Sequence, residues 1–493
     1  MVKVSALKED FPFNQQVMLA DESVLMILSV KRYLPHRRLV CRALWRNKIV
    51  FAKLFFGKTA ARYASRDKTG VEALSQALIN TPNLIGEMDI ISFQGIALIF
   101  RAIEPAKNAE EIYQTSNQVL RYTLMQQLVQ TIGKHHDANL LQTDLHFKNF
   151  LVQQDNIYTL DGDGISALSW LFKKREMKHN LATLFSKMDV LEDRWIYTLY
   201  ERYCSCIKLP YLLSDAKSIY KLTQKIRAKS SKQYADKKVF RNCTDVQVSQ
   251  NFNEFKAFSS DFNAENITED QMDLALSSIE NSLKSGNTCT VGKALVENQL
   301  VVIKRYNIKN FWHGFKLSIS TSRAAKSWAN AHRLTLLNIP TAKPLALIEK
   351  RFGWFNKRAF YLSQYIDAPD IDIFFAQNID TSIKEKTAIA TAQLFYKLYL
   401  LSISHGDCKA SNIKVVDYKP VLIDLDSMQS HCVNGFFCNW WFKKKHVKDL
   451  IRLMQNWAKD AETSAIICRS FVQIYGEKNN RSHLQTLRQA KIA

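Results

Sequence analysis

HGDCKASNIKVVDYKPVLIDLD, residues 405–426, is the stretch on which the reading of the whole chain turns. Asp407 is followed five positions later by Asn412, and a short apolar run, Val421-Leu422-Ile423, then delivers Asp424. Phosphoryl transfer to a hydroxyl needs parts of this kind: a carboxylate to accept the hydroxyl proton, and an amide oxygen with a second carboxylate to hold Mg²⁺ against nucleotide phosphates. The same arrangement stands earlier, in DLHFKNFLVQQDNIYTLDGD, residues 144–163. There Asp144 precedes Asn149 by five positions, and Asp161 and Asp163 close the segment. Asp144 to Asp161 and Asp407 to Asp424 are both 17 residues apart, so the spacing points to an internal duplication. Taken singly, such Asp and Asn residues also serve turns and helix caps.

Working outward, each copy is preceded by the same series of elements. Residues 39–55, LVCRALWRNKIVFAKLF, predict two strands joined at Arg46-Asn47-Lys48, the second carrying Lys53 among Val50, Phe51, Ala52 and Leu54. A lysine in such a place meets an anion or snorkels to water from an edge strand. Residues 60–78 predict a helix with Asp67 and Glu72 as acids able to orient Lys53. A strand at residues 96–100 leads to a hinge at Pro105, and Leu120, Leu124, Leu128 and Ile132 recur at helical spacing before Asp144. Helical character continues to residue 225, and the polar stretch 246–266 reads as the connection.

The second round opens with NSLKSGNTCTV, residues 281–291, where Gly286, Asn287 and Thr288 form a turn whose N–H groups suit phosphate, as any hairpin turn would. Leu300-Val301-Val302-Ile303 then ends at Lys304. A helix over 322–337, a strand over 360–366, a hinge at Asp367-Ala368-Pro369 and a helix marked by Ala390, Leu394, Leu398 and Leu401 lead to His405.

At this point the sequence resembles the lipopolysaccharide core kinases, the Kdo and heptose kinases of the protein-kinase-like superfamily. VVIKRYN, SRAAKSWANAHRL, NIPTAKPLALIE, HGDCKASN, LIDLD and KHVKDLIRLMQNW carry the likeness in the second half, and FAKLFFG, LLQTDLHFKNFL and IYTLDGDG carry it in the first. The resemblance implies an α+β chain of two tandem bilobal kinase-like domains, each with a small antiparallel β-rich N-lobe and a mainly helical C-lobe. Their implied limits are 1–235 (N-lobe to about 104) and 266–493 (N-lobe to about 367), joined by 236–265. It assigns Asp407 and Asp144 as catalytic bases, and Asn412 with Asp424, and Asn149 with Asp161, as Mg²⁺ ligands. Lys304, with Gly286, Asn287 and Thr288, would contact ATP in the second domain, and Lys53 with Asp67 in the first. His405 and Gly406 would shape the catalytic loop.

The copies depart from the family pattern in different ways. Aligning Leu74 with Leu334 puts Ser327 where the family often has a helix Glu, whereas the first copy has Asp67 there. The first copy has Gln142-Thr143 in place of His405-Gly406 and no glycine in its phosphate turn, YLPHRRLV at 33–40. The second unit is therefore expected to be the catalytic one, with the first active on another acceptor or regulatory.

The 493 residues and 47 % hydrophobic content allow about two or three domains. No run of about 18 apolar residues predicts a spanning helix, and the N-terminal MVKVSALKEDFPFNQQ has no signal-peptide centre, so a cytoplasmic protein is expected. Nine scattered cysteines hold no C-x-x-C pair for zinc or redox work, and Cys204 and Cys206, flanking one serine, read as structural thiols. A net charge of +22 favours an anionic partner. The sequence shows no zinc-finger, RNA-recognition or basic-zipper signature, which argues against nucleic acid.

No A-P-E-type peptide-seating segment follows Asp424, which points to a small-molecule or glycolipid acceptor. Phe436, Phe437, Trp440, Trp441 and Phe442 beside Lys443, Lys444 and Lys445 suit peripheral contact with an anionic membrane, and NFWHGFK at 310–316 is a milder version. Buried aromatics capped by solvated lysines would give the same string. The expected activity is ATP-dependent phosphorylation of a sugar hydroxyl on a lipopolysaccharide inner-core intermediate at the cytoplasmic membrane face. The rivals are a pseudokinase-type binding module and a related kinase acting on a small molecule or protein.

Overall fold

The computed structural model describes residues 16–34, 36–262, 267–277, 282–284, 289–297, 299–306, 321–352, 355–432, 436–476 and 481–492. Gly286, Asn287, Thr288 and the 310–316 segment lie outside the described residues. The chain divides into two compact units: residues up to Met188 with Glu192–Thr223, and Asp189–Leu191 with the residues from Gln224 onward. The α+β pattern, an antiparallel sheet followed by helices, occurs once in each.

In the first unit the sheet runs in the order β1-β2-β3-β4-β6-β5: β1 Gln16–Met18, β2 Val24–Leu34, β3 Arg38–Trp45, β4 Lys48–Phe56, β5 Leu84–Ile90 and β6 Gly95–Arg101. Strict alternation sends Leu39, Cys41, Ala43 and Trp45 of β3 to one face, together with Val50, Ala52 and Leu54 of β4. Arg46 and Asn47 both adopt left-handed φ, 47° and 59°, the two-residue hairpin geometry that matches strand twist. The opposite face, with Phe55, Leu98 and Phe100, is covered by Ala60, Ala64 and Val71 of α1, Ala60–Gln76. Lys53 shares the parity of Phe55 and so stands on that covered face.

The helical part of this unit begins with α2, Ala109–Thr115, and α3, Gln118–Asp137. Leu124, Leu128 and Ile132 of α3 are buried, but Leu120, in its first turn, is 54 % exposed. A hairpin follows, β7 Phe150–Gln153 with β8 Asn156–Thr159, and then α4 Lys173–Phe185, α5 Ile196–Cys206 and α6 Leu213–Asp236, which carries the unit boundary.

The second unit has a seven-stranded antiparallel sheet in the order β9-β10-β14-β15-β13-β12-β11. Its strands are β9 Val246–Gln250, β10 Glu254–Ser259, β11 Ser282–Lys284, β12 Cys289–Val296, β13 Gln299–Tyr306, β14 Pro344–Phe352 and β15 Phe355–Gln364. Here the reading of 236–265 as a connection is corrected. Residues 246–259 form two strands of this sheet, with β10 paired to β14 from Glu254↔Lys350 to Phe258↔Ala346. The edge strand β9 is short and largely exposed, so its sequence looks polar, and only pairing reveals it.

Between and after these strands stand α7 Glu269–Ser277, α8 Arg323–Leu336, α9 Thr381–Leu400, the hairpin β16 Ile413–Val416 with β17 Lys419–Leu422, α10 Phe436–Met454, α11 Ala461–Gly476 and α12 Arg481–Gln489. α8 is anchored by Trp328, fully buried, whose indole N–H donates to the Val239 carbonyl at 2.9 Å. Leu394 and Leu398 face the core from α9, while Ala390 and Leu401 are half-buried. Cys204 and Cys206 are free thiols as expected, and Cys432 and Cys438 are joined as a disulfide.

How closely α1 lies on the first acidic loop is set by two glycines. A Cβ on Gly70 would overlap the carbonyl oxygen of Gly162, and one on Gly162 would overlap that of Asp67. Gly70→Ala is therefore expected to destabilise the first unit by about 1–3 kcal/mol, measured as an earlier urea transition for that unit, and Gly162→Ala should behave alike.

Candidate active site

The local fold explains why 17 residues separate the two acids in each copy. In β16–β17 the register pairs Ile413 with Leu422 across a turn at Asp417 and Tyr418, both of left-handed φ. The residues flanking this hairpin therefore meet: the Ile423 N–H donates to the Asn412 carbonyl at 3.0 Å. β7–β8 repeats this with Phe150 opposite Thr159, and the Leu160 N–H donates to the Asn149 carbonyl at 2.8 Å. The chain then kinks at the closing acid in both copies. Asp161 has φ 64° and Asp424 φ 59°, the left-handed conformation that Asp tolerates better than most residues.

The five-residue step is held by the amide. Asn412 Nδ2 donates to the Asp407 carbonyl at 2.8 Å and to its carboxylate at 3.1 Å. Asn149 Nδ2 does the same to Asp144, at 2.8 and 3.2 Å.

In the second unit Lys304 forms an ion pair with Asp424. Burial pushes the Asp424 carboxyl up, but the Lys304 ammonium outweighs it and leaves the carboxyl below its ordinary range. Ser327, at the position expected to lack an acid, is buried and hydrogen-bonded to the Tyr306 hydroxyl at 3.0 Å. Lys304, Asp424, Asn412, Lys409 and Ser411 line one cleft of about 380 Å³. Val291, Val302 and Tyr361 supply apolar wall, and residues 364–366 run along its edge. Asp407 stands two positions before the lining residue Lys409, and pairs with it at 3.7 Å and with Arg452 at 2.7 Å.

The first unit brings its residues together differently. Lys53 pairs with the fully buried Asp67 at 2.5 Å and with Asp161 at 3.3 Å. Glu72 is exposed, so Asp67 is the helix acid. Arg38, from the start of β3, adds a second cation, 3.4 Å from Asp161 and 3.8 Å from Asp67. Burial dominates at Asp67 and raises its carboxyl, whereas at Asp161 the burial effect is overcome by Lys53 and Arg38, and the carboxyl is lowered. Among the described residues the result is a group of two cations and two anions, where the second unit pairs Lys304 with Asp424 beside its cleft.

Sequence reasoning missed several residues here. Asp449 on α10, 4 % exposed, accepts the His405 N–H at 2.7 Å and the Gly406 N–H at 2.9 Å. Burial raises its carboxyl against the influence of these donors. Gly406 has φ +84°, and a Cβ there would stand 2.8 Å from the Ser427 carbonyl oxygen, so the glycine is required. The second acid of each D-x-D pattern turns to an arginine: Asp426 to Arg323 at 2.5 Å and Asp163 to Arg66 at 3.0 Å. Asn330 donates to the Leu425 and Met428 carbonyls at 2.9 and 3.1 Å, tying α8 to the acidic loop.

The change from His405 to Gln142 keeps the local bond. His405 Nε2 stands 3.1 Å from the Ile423 carbonyl, and Gln142 Nε2 donates to the matching Leu160 carbonyl at 3.2 Å. Asp449 left a trace in the sequence, as the acid of KHVKD, and so did Arg323 and Asn330, within SRAAKSWANAHRL; Arg66 and Arg38 follow no such motif.

The family model for the lipopolysaccharide kinase (Kdo/WaaP) family matches residues 46–199 and 278–473, well over half of the sequence. The chain belongs to that family. Its members are kinases, so this lipopolysaccharide kinase family protein is a phosphotransferase, with a sugar or lipopolysaccharide acceptor at the level the family defines. No curated protein matches it. Each matched region of the kinase holds one complete copy of the Asp–Asn–Asp arrangement and its strand lysine. Among the described residues no helix is long and apolar enough to cross a membrane.

Replacing Asp449 by Ala would leave two amides of the catalytic loop without their buried acceptor. A fall in phosphoryl transfer of about a hundredfold is expected from displacement of Asp407. Asp449→Asn, which keeps one acceptor oxygen, should recover part of the rate, and far-ultraviolet circular dichroism should show both variants folded.

Proposed function

We propose that the second unit transfers the terminal phosphoryl group of ATP to a sugar hydroxyl of a lipopolysaccharide inner-core intermediate at the cytoplasmic membrane face. The observation that carries this reading is the Lys304–Asp424 pair on the wall of an open cleft shared with Asn412, beside Asp407. Asp407 accepts the acceptor hydroxyl proton as that oxygen bonds to the terminal phosphorus, and the bond to the leaving nucleoside diphosphate breaks. Lys304 holds nucleotide phosphate, and residues 364–366 line the cleft that receives the nucleotide. Arg452 and Lys409 pair with Asp407 and orient it.

The donor set fits Mg²⁺. Asn412 directs its amide nitrogen to Asp407, so its amide oxygen remains as a hard donor in the cleft that also holds the Asp424 carboxylate. When bound there, Mg²⁺ neutralises charge on the phosphates.

Acceptor choice draws on α10. Phe442 is core, but Phe437, Trp440 and Trp441 are exposed, and Lys444 lies 3.7 Å over the Trp440 ring. Aromatics beside lysines match a glycolipid at an anionic interface.

A non-catalytic, regulatory role for the first unit is favoured by Arg38, which with Lys53 already neutralises Asp67 and Asp161 where phosphate and metal would bind.

Transfer of ³²P from ATP into fractionated envelope glycolipid tests the division of labour. Asp407→Ala should abolish labelling while nucleotide binding persists, and Asp144→Ala should retain substantial activity. Equal losses in the two variants would refute the assignment. Chelation should stop labelling by the wild type, and added Mg²⁺ should restore it.

A further inference from the structure

The first unit carries a cavity whose lining does not include Lys53, Asp67, Asp144, Asn149 or Asp161. It measures about 430 Å³ and lies among the end of α3, the start of α4 and the α5–α6 junction. Its lining is mainly apolar, including Met177, Leu181, Tyr203 and Leu212, and α4 adds Lys173, Lys174 and Lys178. Asp215 accepts both Lys178, at 2.5 Å, and Lys174, at 3.1 Å, while Lys173 donates to Asn139 at 2.6 Å. Asp137 is the other acid of the lining.

Two exposed apolar segments flank this cavity. Trp170, 86 % exposed, with Leu171 and Phe172, immediately precedes the lining residue Lys173, and the exposed Leu209, Tyr211, Leu212 and Leu213 run through the α5–α6 junction, where Leu209 and Leu212 line the cavity. Arg175 and Lys208 add exposed positive charge to the same two segments. The string Trp170-Leu-Phe-Lys-Lys-Arg175 parallels Trp440-Trp-Phe-Lys-Lys-Lys445 in the second unit, so each unit presents exposed tryptophan beside a basic run. Water-facing indole and leucine next to lysines, around an apolar cavity, match one chemistry: a phosphate headgroup with a hydrocarbon tail.

We propose that the first unit is a membrane-docking module that seats one anionic phospholipid of a bilayer surface in this cavity. Residues 170–172 and 209–213 enter the headgroup layer, and the basic residues of α4 face the lipid phosphates. The inference does not depend on the kinase reading, because vesicle binding and phosphoryl transfer are measured separately.

Co-sedimentation of the full chain with phosphatidylcholine vesicles, with and without phosphatidylglycerol, tests it. Binding should require phosphatidylglycerol and weaken with added salt. Trp170→Ser with Leu209→Ser, and separately Lys173→Glu with Arg175→Glu, should each weaken binding about tenfold. The losses should persist when Trp440 and Trp441 are already changed to Ser. Since Trp170, Leu209, Lys173 and Arg175 are exposed, thermal unfolding and nucleotide binding should stay unchanged. Wild-type binding by both pairs of variants would overturn the proposal. So would equal binding to the two vesicle types, or an effect confined to self-association of the chain.

Discussion

A lysine on a strand covered by a helix has to find an anion, and this requirement organises both units. Removing an ammonium group from water is unfavourable unless a carboxylate or phosphate replaces the lost solvation. In each unit that partner comes from the acid that follows a hairpin of two four-residue strands, held in a left-handed conformation at the hairpin's end. Strand, hairpin and catalytic loop are thereby drawn to one place.

The two copies meet this requirement by different routes. In the first, a buried helix acid and a second cation complete the neutralisation, and two glycines allow the helix backbone to lie directly on the acidic loop. In the second, Ser327 replaces the acid, Asn330 bridges helix and loop by side-chain hydrogen bonds, and Lys304 pairs with Asp424 beside the cleft. The same backbone plan thus yields one site that is electrostatically complete and one with capacity for anionic phosphate and a cation. That contrast is the physical basis for assigning chemistry to the second unit and docking to the first.

Catalytic-loop geometry shows a similar substitution of means. His405 and Gln142 have unlike side chains, yet both satisfy the matching backbone carbonyl. Asp449 holds two successive amides in the second unit, while in the first Asn180 donates to the Gln142 carbonyl at 2.7 Å. The loop carrying Asp144 is held in addition at Thr143, whose N–H and hydroxyl both donate to the Gly164 carbonyl, at 2.8 and 2.9 Å.

The duplicated Asp–Asn–Asp spacing, the strand lysines and the alternation of β3 and β4 were legible in the sequence, because they arise from short-range geometry. A hairpin of fixed length brings its flanking residues together, and alternate strand residues share a face. The strands within 246–259 were not legible, since a short polar edge strand is defined by the neighbour it pairs with. Nor were Arg38 near Asp161, Asp449 beneath His405, or the cavity beside Trp170, whose members lie tens of residues apart or more. Sequence by itself determined the reaction class and the duplication. Tertiary structure decided which carboxylates are neutralised from within, because that depends on distances and burial between segments that no local pattern encodes.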